Sequence, residues 1–354
     1  MKKIIALCFF IFCVSLLATP PKLGLSFPPV STSDQINLTI SYMKDFKAKY
    51  VRFSDNWKFR ELTVGSFNFA TVVTRAKTFH DSGYKVMLTM ESDGPRWRCD
   101  TTQMNERGCV FNDTAVFRLY AREWLRQVSP YVDIAQFGNE WSSFYFYPGS
   151  IRNYSISSKI FCQEAASRGV PCALGGLSIG LVRAITACYG GIDHYLNDSG
   201  QYYTDLPGSP VDLSDTCATV YASTTLNSTD SVIRVTNAQY IDLHLYHDAE
   251  DWNTYIEFFQ NRFAAYNKSW LISEFGGIYR FFSQEEMSRA KRTRMQLNAL
   301  DRSSNIEAAM YFQLFEDTAS ASPFRSYLID SNLVVSPSYR VFKNTTSQPH
   351  YYNR

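Results

Sequence analysis

The chain has 354 residues, 45% apolar and 19% charged, which excludes intrinsic disorder as its main state and allows either two average domains or one large barrel. Lys plus Arg (35) nearly balance Asp plus Glu (33), and two of the positive charges, Lys2 and Lys3, sit at the extreme N-terminus. The remainder is neutral, so the chain lacks the basic field of a nucleic-acid binder and the polybasic patch of a lipid-surface protein.

Met1 to Ala18 reads as a secretory signal peptide: a positive start, then an apolar run too short for a membrane span. Cleavage near Ala18 leaves 19–354 as one catalytic domain. The protein is then expected in the extracellular space or the lumen of the secretory pathway or lysosome, a monomer without stable membrane insertion. Cys8 and Cys13 leave with the signal. The six that remain, Cys99, Cys109, Cys162, Cys172, Cys188 and Cys217, favour disulfides in an exported chain. They allow 15 pairings, and nearest-neighbour pairing (99–109, 162–172, 188–217) is the expected one. No CxxC pair suggests zinc. N-x-S/T sequons at Asn37, Asn112, Asn153, Asn197, Asn227, Asn267 and Asn344 point to a glycosylated protein of the eukaryotic secretory pathway, with those asparagines on the surface.

From Gly24 onward, strand and helix patterns alternate. Strands are expected to start near residues 24, 50, 85, 133, 172, 240, 270 and 306. A helix capped by Ser33 carries Ile36, Ile40 and Met43 on one face. Another, capped by Asn112 or Asp113, carries Phe117, Tyr120, Trp124 and Val128. Eight such units suit a single (β/α)8 barrel of the TIM type. The widest gap, Gln201 to Val235, is rich in Asp, Ser, Thr and Gly and reads as a loop insertion between strands five and six.

In such a barrel, function gathers where the strands end. Two carboxylates stand out there, Glu140 after strand four and Glu274 on strand seven, each following a run that reads as buried. A carboxylate at such a place is costly unless it has partners or a task. Two that flank one bond are what glycoside hydrolysis needs.

Three segments in order, Asn139-Glu140, His244-x-Tyr246 and Ser273-Glu274-Phe275-Gly276, resemble the clan-A retaining glycoside hydrolases, the clan that includes cellulase-like enzymes. The resemblance spans Leu25 to about Phe342, with the ending Tyr327-Leu-Ile-Asp330 and Pro337-Ser-Tyr339. It implies an oligo- or polysaccharide substrate, no cofactor and no metal. Glu140 would be the general acid/base and Glu274 the nucleophile. Asn139 would bind the sugar 2-hydroxyl, and Arg52 and Tyr246 would position Glu274. His244 and Gln313 are further candidates for substrate contact, as is Glu91, a carboxylate near the mouth that rivals the pair for a catalytic role. The clan's usual strand-eight Trp is absent from Tyr311-Phe-Gln-Leu-Phe315. Trp57, Trp141, Tyr145 and Trp252 are the candidates to replace it as a sugar platform. Glu316 and Asp317 are further carboxylates near the mouth.

Two other readings remain. Gly176-Leu-Ser178-Ile-Gly180 matches the nucleophile-elbow pattern of serine esterases, with Asp242 and His247 as partners. A catalytically inactive barrel that binds glycans is the second. His244 and His247 do not form a metal pair, because strand residues three apart point to opposite faces.

Overall fold

The computed structural model describes residues 21–190, 201–203, 210–212, 220–246, 249–277, 286–316 and 327–347. The signal segment, Asn197, Cys217, His247 and Asp317 lie outside the described residues.

Eight parallel strands close into a barrel: β1 (Lys22–Ser26), β2 (Tyr50–Asp55), β3 (Lys85–Met90), β4 (Ile134–Phe137), β5 (Cys172–Leu174), β6 (Tyr240–Tyr246), β7 (Ser269–Gly276) and β8 (Ile306–Tyr311). Each pairs with its chain neighbours, and β8 returns to β1 through Lys22↔Ala308 to Leu25↔Tyr311. Helices follow the strands and cover the outside, so the main core lies between the two layers.

The side-chain period of two explains how the barrel interior is divided. Tyr50, Met87, Ile134, Ala173, Leu271 and Met310 form a separate apolar cluster. Two residues further along β2, β3 and β4 come Arg52, Thr89 and Gln136, all buried and hydrogen-bonded to one another. The apolar plug sits towards the strand starts, and a polar layer lies above it where the strands end.

The helices form as their patterns dictate, with two corrections. Thr32, not Ser33, caps the first helix (Ser33–Asp45), because its hydroxyl accepts from Gln35 N while the Gln35 side chain returns to the Thr32 N–H. Asp113 caps Thr114–Val128 through two N–H groups, and Phe117, Tyr120, Trp124 and Val128 are buried as expected. The stretch between β5 and β6 is not a loop throughout. It contains the helices Ile179–Tyr189 and Val220–Val235 and a short antiparallel pair, Gln201–Tyr203 with Pro210–Asp212. Ser and Thr lower helix propensity only slightly, and burial of Leu226, Val232 and Ile233 outweighs them.

Disulfides join Cys99 to Cys109 and Cys162 to Cys172. Cys188 is also disulfide-bonded. The first bridge closes a hairpin, Cys99–Met104 with Cys109–Phe111, that follows β3. Of the sequon asparagines, Asn37, Asn112, Asn227, Asn267 and Asn344 are exposed and Asn153 is half-buried. Among the described residues no helix is long and apolar enough to cross a membrane.

Candidate active site

β4 ends in a sharp turn. Gly138 has φ 73° and Glu140 φ 31°, a backbone region that a glutamate enters only when its surroundings enforce it. Gly138 N donates to Met90 O, and Ser143 N to Glu140 O. This anchors Asn139 and Glu140 at the barrel mouth. Glu274 comes from β7 and is directly paired in register with His244 of β6.

Glu274 is held from two sides. Arg52 Nη1 donates to its Oε1 at 2.6 Å, and Tyr246 Oη donates to its Oε2 at 2.5 Å. Arg52 is fully buried and every nitrogen of its guanidinium is occupied. Nε donates to Gln136 and Thr89, Nη1 also to Ser26, and Nη2 to Asn139 Oδ1 at 2.8 Å. The Phe27 ring lies 4.5 Å from the guanidinium carbon. Burial, then Glu274, raises the Tyr246 phenol well above its ordinary range, so it stays a donor.

Glu140 meets His244, whose Nδ1 lies 2.8 Å from Glu140 Oε1 and 3.5 Å from Glu274 Oε2. One oxygen of each glutamate and His244 Nδ1 fall within 4.8 Å of one another. Three such atoms could in principle hold a metal. Burial opposes charge on His244, but Glu274, Asp242 and Glu140 outweigh it and bring the imidazole up to about 10. The neighbouring carboxyl groups thus favour the charged ring, in which Nδ1 donates to Glu140.

Glu91, just after β3, is the third carboxyl. Burial raises it to about 7 against the pull of Arg52 and Ser54, with Glu274 and Asp93 adding to the rise. Asp93 is engaged by Lys58. Glu316 is half-buried and accepts from Ser331 N at 3.1 Å, which ties it to the following turn. Gln313 is half-buried just beyond β8.

The aromatic candidates divide by burial. Trp57 is 1% exposed, stacks on Tyr120 at 4.3 Å and donates to Glu61. Trp141 is 3% exposed and stacks on Tyr154 at 4.9 Å. Trp252 is fully buried beside Phe275. These three are core side chains, not sugar platforms: each indole gains more by burial than the rim could give it. Tyr145 is 49% exposed, and its neighbour Phe144 is more exposed still. Asn105 of the disulfide-closed hairpin holds both of their carbonyls, and Arg107 stacks over Tyr145 at 4.9 Å. Phe144 and the half-exposed Trp97 escaped the sequence reading, because rim exposure leaves no periodic signal.

The esterase reading does not survive the geometry. Ser178 has φ −65° and ψ 150°, an ordinary extended residue capping Ile179–Tyr189, not the strained turn of a nucleophile elbow. Asp242 is buried inside the barrel, where it accepts from Gln136 and Ser273. The first glycine of that motif has another purpose, since Gly176 packs against the His244 ring. Gln136 is the site residue that sequence reasoning missed, and Asp242 and Ser273, met there only as an esterase partner and as part of a motif, have a different place in the site. Their signal was a polar side chain inside an otherwise apolar strand, repeated at every second position only on β6 (Asp242, His244, Tyr246).

Residues 223–342 match the family model described as glycosyl hydrolase catalytic core. Among curated proteins, none matches the sequence. Solved structures share the fold at low identity. A glucosidase from Croceicoccus marinus is 12% identical over 93% of this chain and 68% of its own, with a TM-score of 0.64. GH5_18 from Bifidobacterium longum subsp. longum, solved in complex with Manβ1-4GlcNAc, is 13% identical over 93% and 78%, also at 0.64. The exo-β-1,4-mannosidase Op5Man5 from Opitutaceae bacterium strain TAV5 is 15% identical over 92% and 59%, at 0.59. This chain therefore has a closed (β/α)8 barrel, the fold it shares with these glycosidases, and its residues 223–342 are similar to the glycosyl hydrolase catalytic core.

Proposed function

We propose that the protein is a secreted, glycosylated, monomeric retaining β-glycosidase that hydrolyses O-glycosidic bonds of a β-linked glycan by double displacement. One observation carries this reading. An oxygen of Glu140 and an oxygen of Glu274 lie within 4.8 Å of each other at the barrel mouth, while Arg52 and Tyr246 grip Glu274 from below. Retaining enzymes hold their two carboxyls about 5–5.5 Å apart, and inverting enzymes leave room for a water between them.

The roles follow from the surroundings. Glu274 faces a guanidinium and a phenol, both donors, which suit an ionised nucleophile. Glu140 is 16% exposed and opens towards the mouth, where a leaving oxygen can reach it. In the first step Glu274 attacks the anomeric carbon while Glu140 gives its proton to the departing oxygen. In the second Glu140 takes a proton from water, which releases the sugar from Glu274. Asn139 is oriented by Arg52, leaving its amide nitrogen for the sugar 2-hydroxyl. His244, Tyr145, Glu91 and Gln313 are the remaining candidates for substrate contact. The signal segment, the disulfides and the exposed sequons support export.

Chemical rescue tests the assignment on aryl β-glycosides of gluco and manno configuration. Glu274→Ala should abolish turnover and, with azide, yield a glycosyl azide of inverted configuration. Glu140→Ala should stall on natural glycans by about 10²–10⁴-fold, spare the first step on 2,4-dinitrophenyl glycosides, and yield azide product of retained configuration. Wild-type turnover in both variants would overturn the proposal.

A further inference from the structure

We infer that Asp242 is a positioning residue for the acid/base carboxyl: acting through Ser273, it holds the Nε2–H of His244 and so keeps a charged imidazole against Glu140. This rests on the proposed glycosidase chemistry for its consequence, but not for its geometry.

Four fully buried side chains make the connection: Gln136, Asp242, His244 and Ser273. Asp242 Oδ1 accepts from Ser273 N at 2.8 Å. Its Oδ2 accepts from Gln136 Nε2 at 2.7 Å and from the Ser273 hydroxyl. That hydroxyl has a single proton, and it is committed to Asp242. Its oxygen, 3.1 Å from His244 Nε2, is then an acceptor, so Nε2 must carry hydrogen. Asp242 Oδ2 itself lies 3.5 Å from Nε2. With Nε2–H fixed, the ring either donates a second proton from Nδ1 or accepts one from Glu140. A buried carboxylate on one side and two more on the other favour the charged form, as the rise of His244 to about 10 reflects.

Gln136 locks the other end. Its Nε2 donates to Asp242 and to Leu174 O, and its Oε1 accepts from Arg52 and Thr89. The amide cannot flip without losing these bonds. The two catalytic carboxyls are thereby joined underneath the site, Glu274 through Arg52 and Gln136 to Asp242, and Asp242 through Ser273 and His244 to Glu140. No proton travels along this path. Asp242 acts only as an acceptor, as the Asp of a Ser-His-Asp triad does while it fixes the tautomer of its histidine.

The effect on the reaction follows from charge. A cationic His244 stabilises the Glu140 carboxylate that forms when the proton leaves, which makes Glu140 a stronger acid. The charged and titratable groups around His244 are Glu140, Glu274 and Asp242, with Arg52 and Tyr246 on the far side of Glu274. In Asp242→Asn an amide nitrogen in the place of Oδ2 gives up the bond from Gln136 Nε2 and donates to Ser273 instead. The hydroxyl proton then turns to Nε2, and the ring becomes neutral.

Two measurements test this. In ¹⁵N-histidine NMR at pH 8, wild-type His244 should be doubly protonated, and in Asp242→Asn it should be neutral with Nε2 bare. In kinetics, Asp242→Asn should move the alkaline limb of kcat/KM upward. It should also slow a phenyl glycoside ten-fold or more while changing a 2,4-dinitrophenyl glycoside only a few-fold. Ser273→Ala, a smaller change, should shift both readouts in the same direction if Asp242→Asn does not fold. A neutral wild-type His244 at pH 8, or equal losses on both glycosides, overturns the inference. Because NMR needs no substrate, it separates a failure of the relay from a failure of the glycosidase assignment, which the Glu140 and Glu274 rescue experiment reads.

Discussion

Gly176 lies against the imidazole of His244, so closely that a Cβ at this position would overlap Nε2, Cδ2 and Cε1. The missing side chain makes room for the histidine that faces both catalytic candidates. Gly176→Ala should therefore displace His244, and a shift of about 1 Å near the chemistry costs roughly 10²-fold. Ser178→Ala, two residues on, should retain wild-type kcat/KM on aryl glycosides. Loss of ester or glycoside hydrolysis in Ser178→Ala would reverse this view of the motif.

Arg52 is the charge on which the polar layer depends. Arg52→Met leaves Glu274 buried against Tyr246 and His244 without its guanidinium partner. Breaking a buried pair from one side typically costs about 3–5 kcal/mol, so urea unfolding should show a loss in that range. The double variant Arg52→Met/Glu274→Gln should lose less than the sum of the single changes, because the orphaned charge is gone. Additive losses would mean that the pair is not coupled.

Glu91 gives a stability prediction with a defined sign. Its folded-state value is raised to about 7, above the ordinary range of about 4.3 in an unfolded chain. The native state thus binds the proton more tightly. The contribution of Glu91 to stability is complete below the unfolded value and is lost as pH rises through 7. Melting curves of wild type and Glu91→Gln between pH 4.5 and 8 should diverge, with the variant gaining on wild type as pH rises. Parallel curves would show that Glu91 ionises normally.

The Cys99–Cys109 bridge closes the hairpin whose Asn105 and Arg107 hold the Phe144–Tyr145 loop. Cys99→Ser/Cys109→Ser should cost about 2–4 kcal/mol. It should also raise KM for longer glycans more than it lowers kcat, if Tyr145 contacts substrate. Alkylation of the unreduced protein should find no free thiol at positions 99, 109, 162, 172 or 188.

The eight strands were legible because each is a short apolar run between turn signals, and the observed starts at 22, 50, 85, 134, 172, 240, 269 and 306 lie within two residues of those expected. Glu140 and Glu274 were legible as candidates because a carboxylate directly after a buried strand is costly unless it has partners or a task. The 99–109 and 162–172 bridges agree with the nearest-neighbour pairing expected of short loops, which the sequence left as one of 15 possibilities. The sequence could not separate Trp57, Trp141 and Trp252 from Tyr145. An indole has the same composition in a core as on a rim, and only packing shows that three of the four are covered. Nor could it connect Gln136, Asp242 and Ser273, which lie on three different strands and meet only when the barrel closes. Period-two patterning determined which side chains point inward on most of the strands, but not on β7, where an irregularity between Ile272 and Phe275 brings the neighbours Ser273 and Glu274 into the same site. Which of those inward groups share a proton or a charge was decided by the register between strands, a long-range property that no single segment contains.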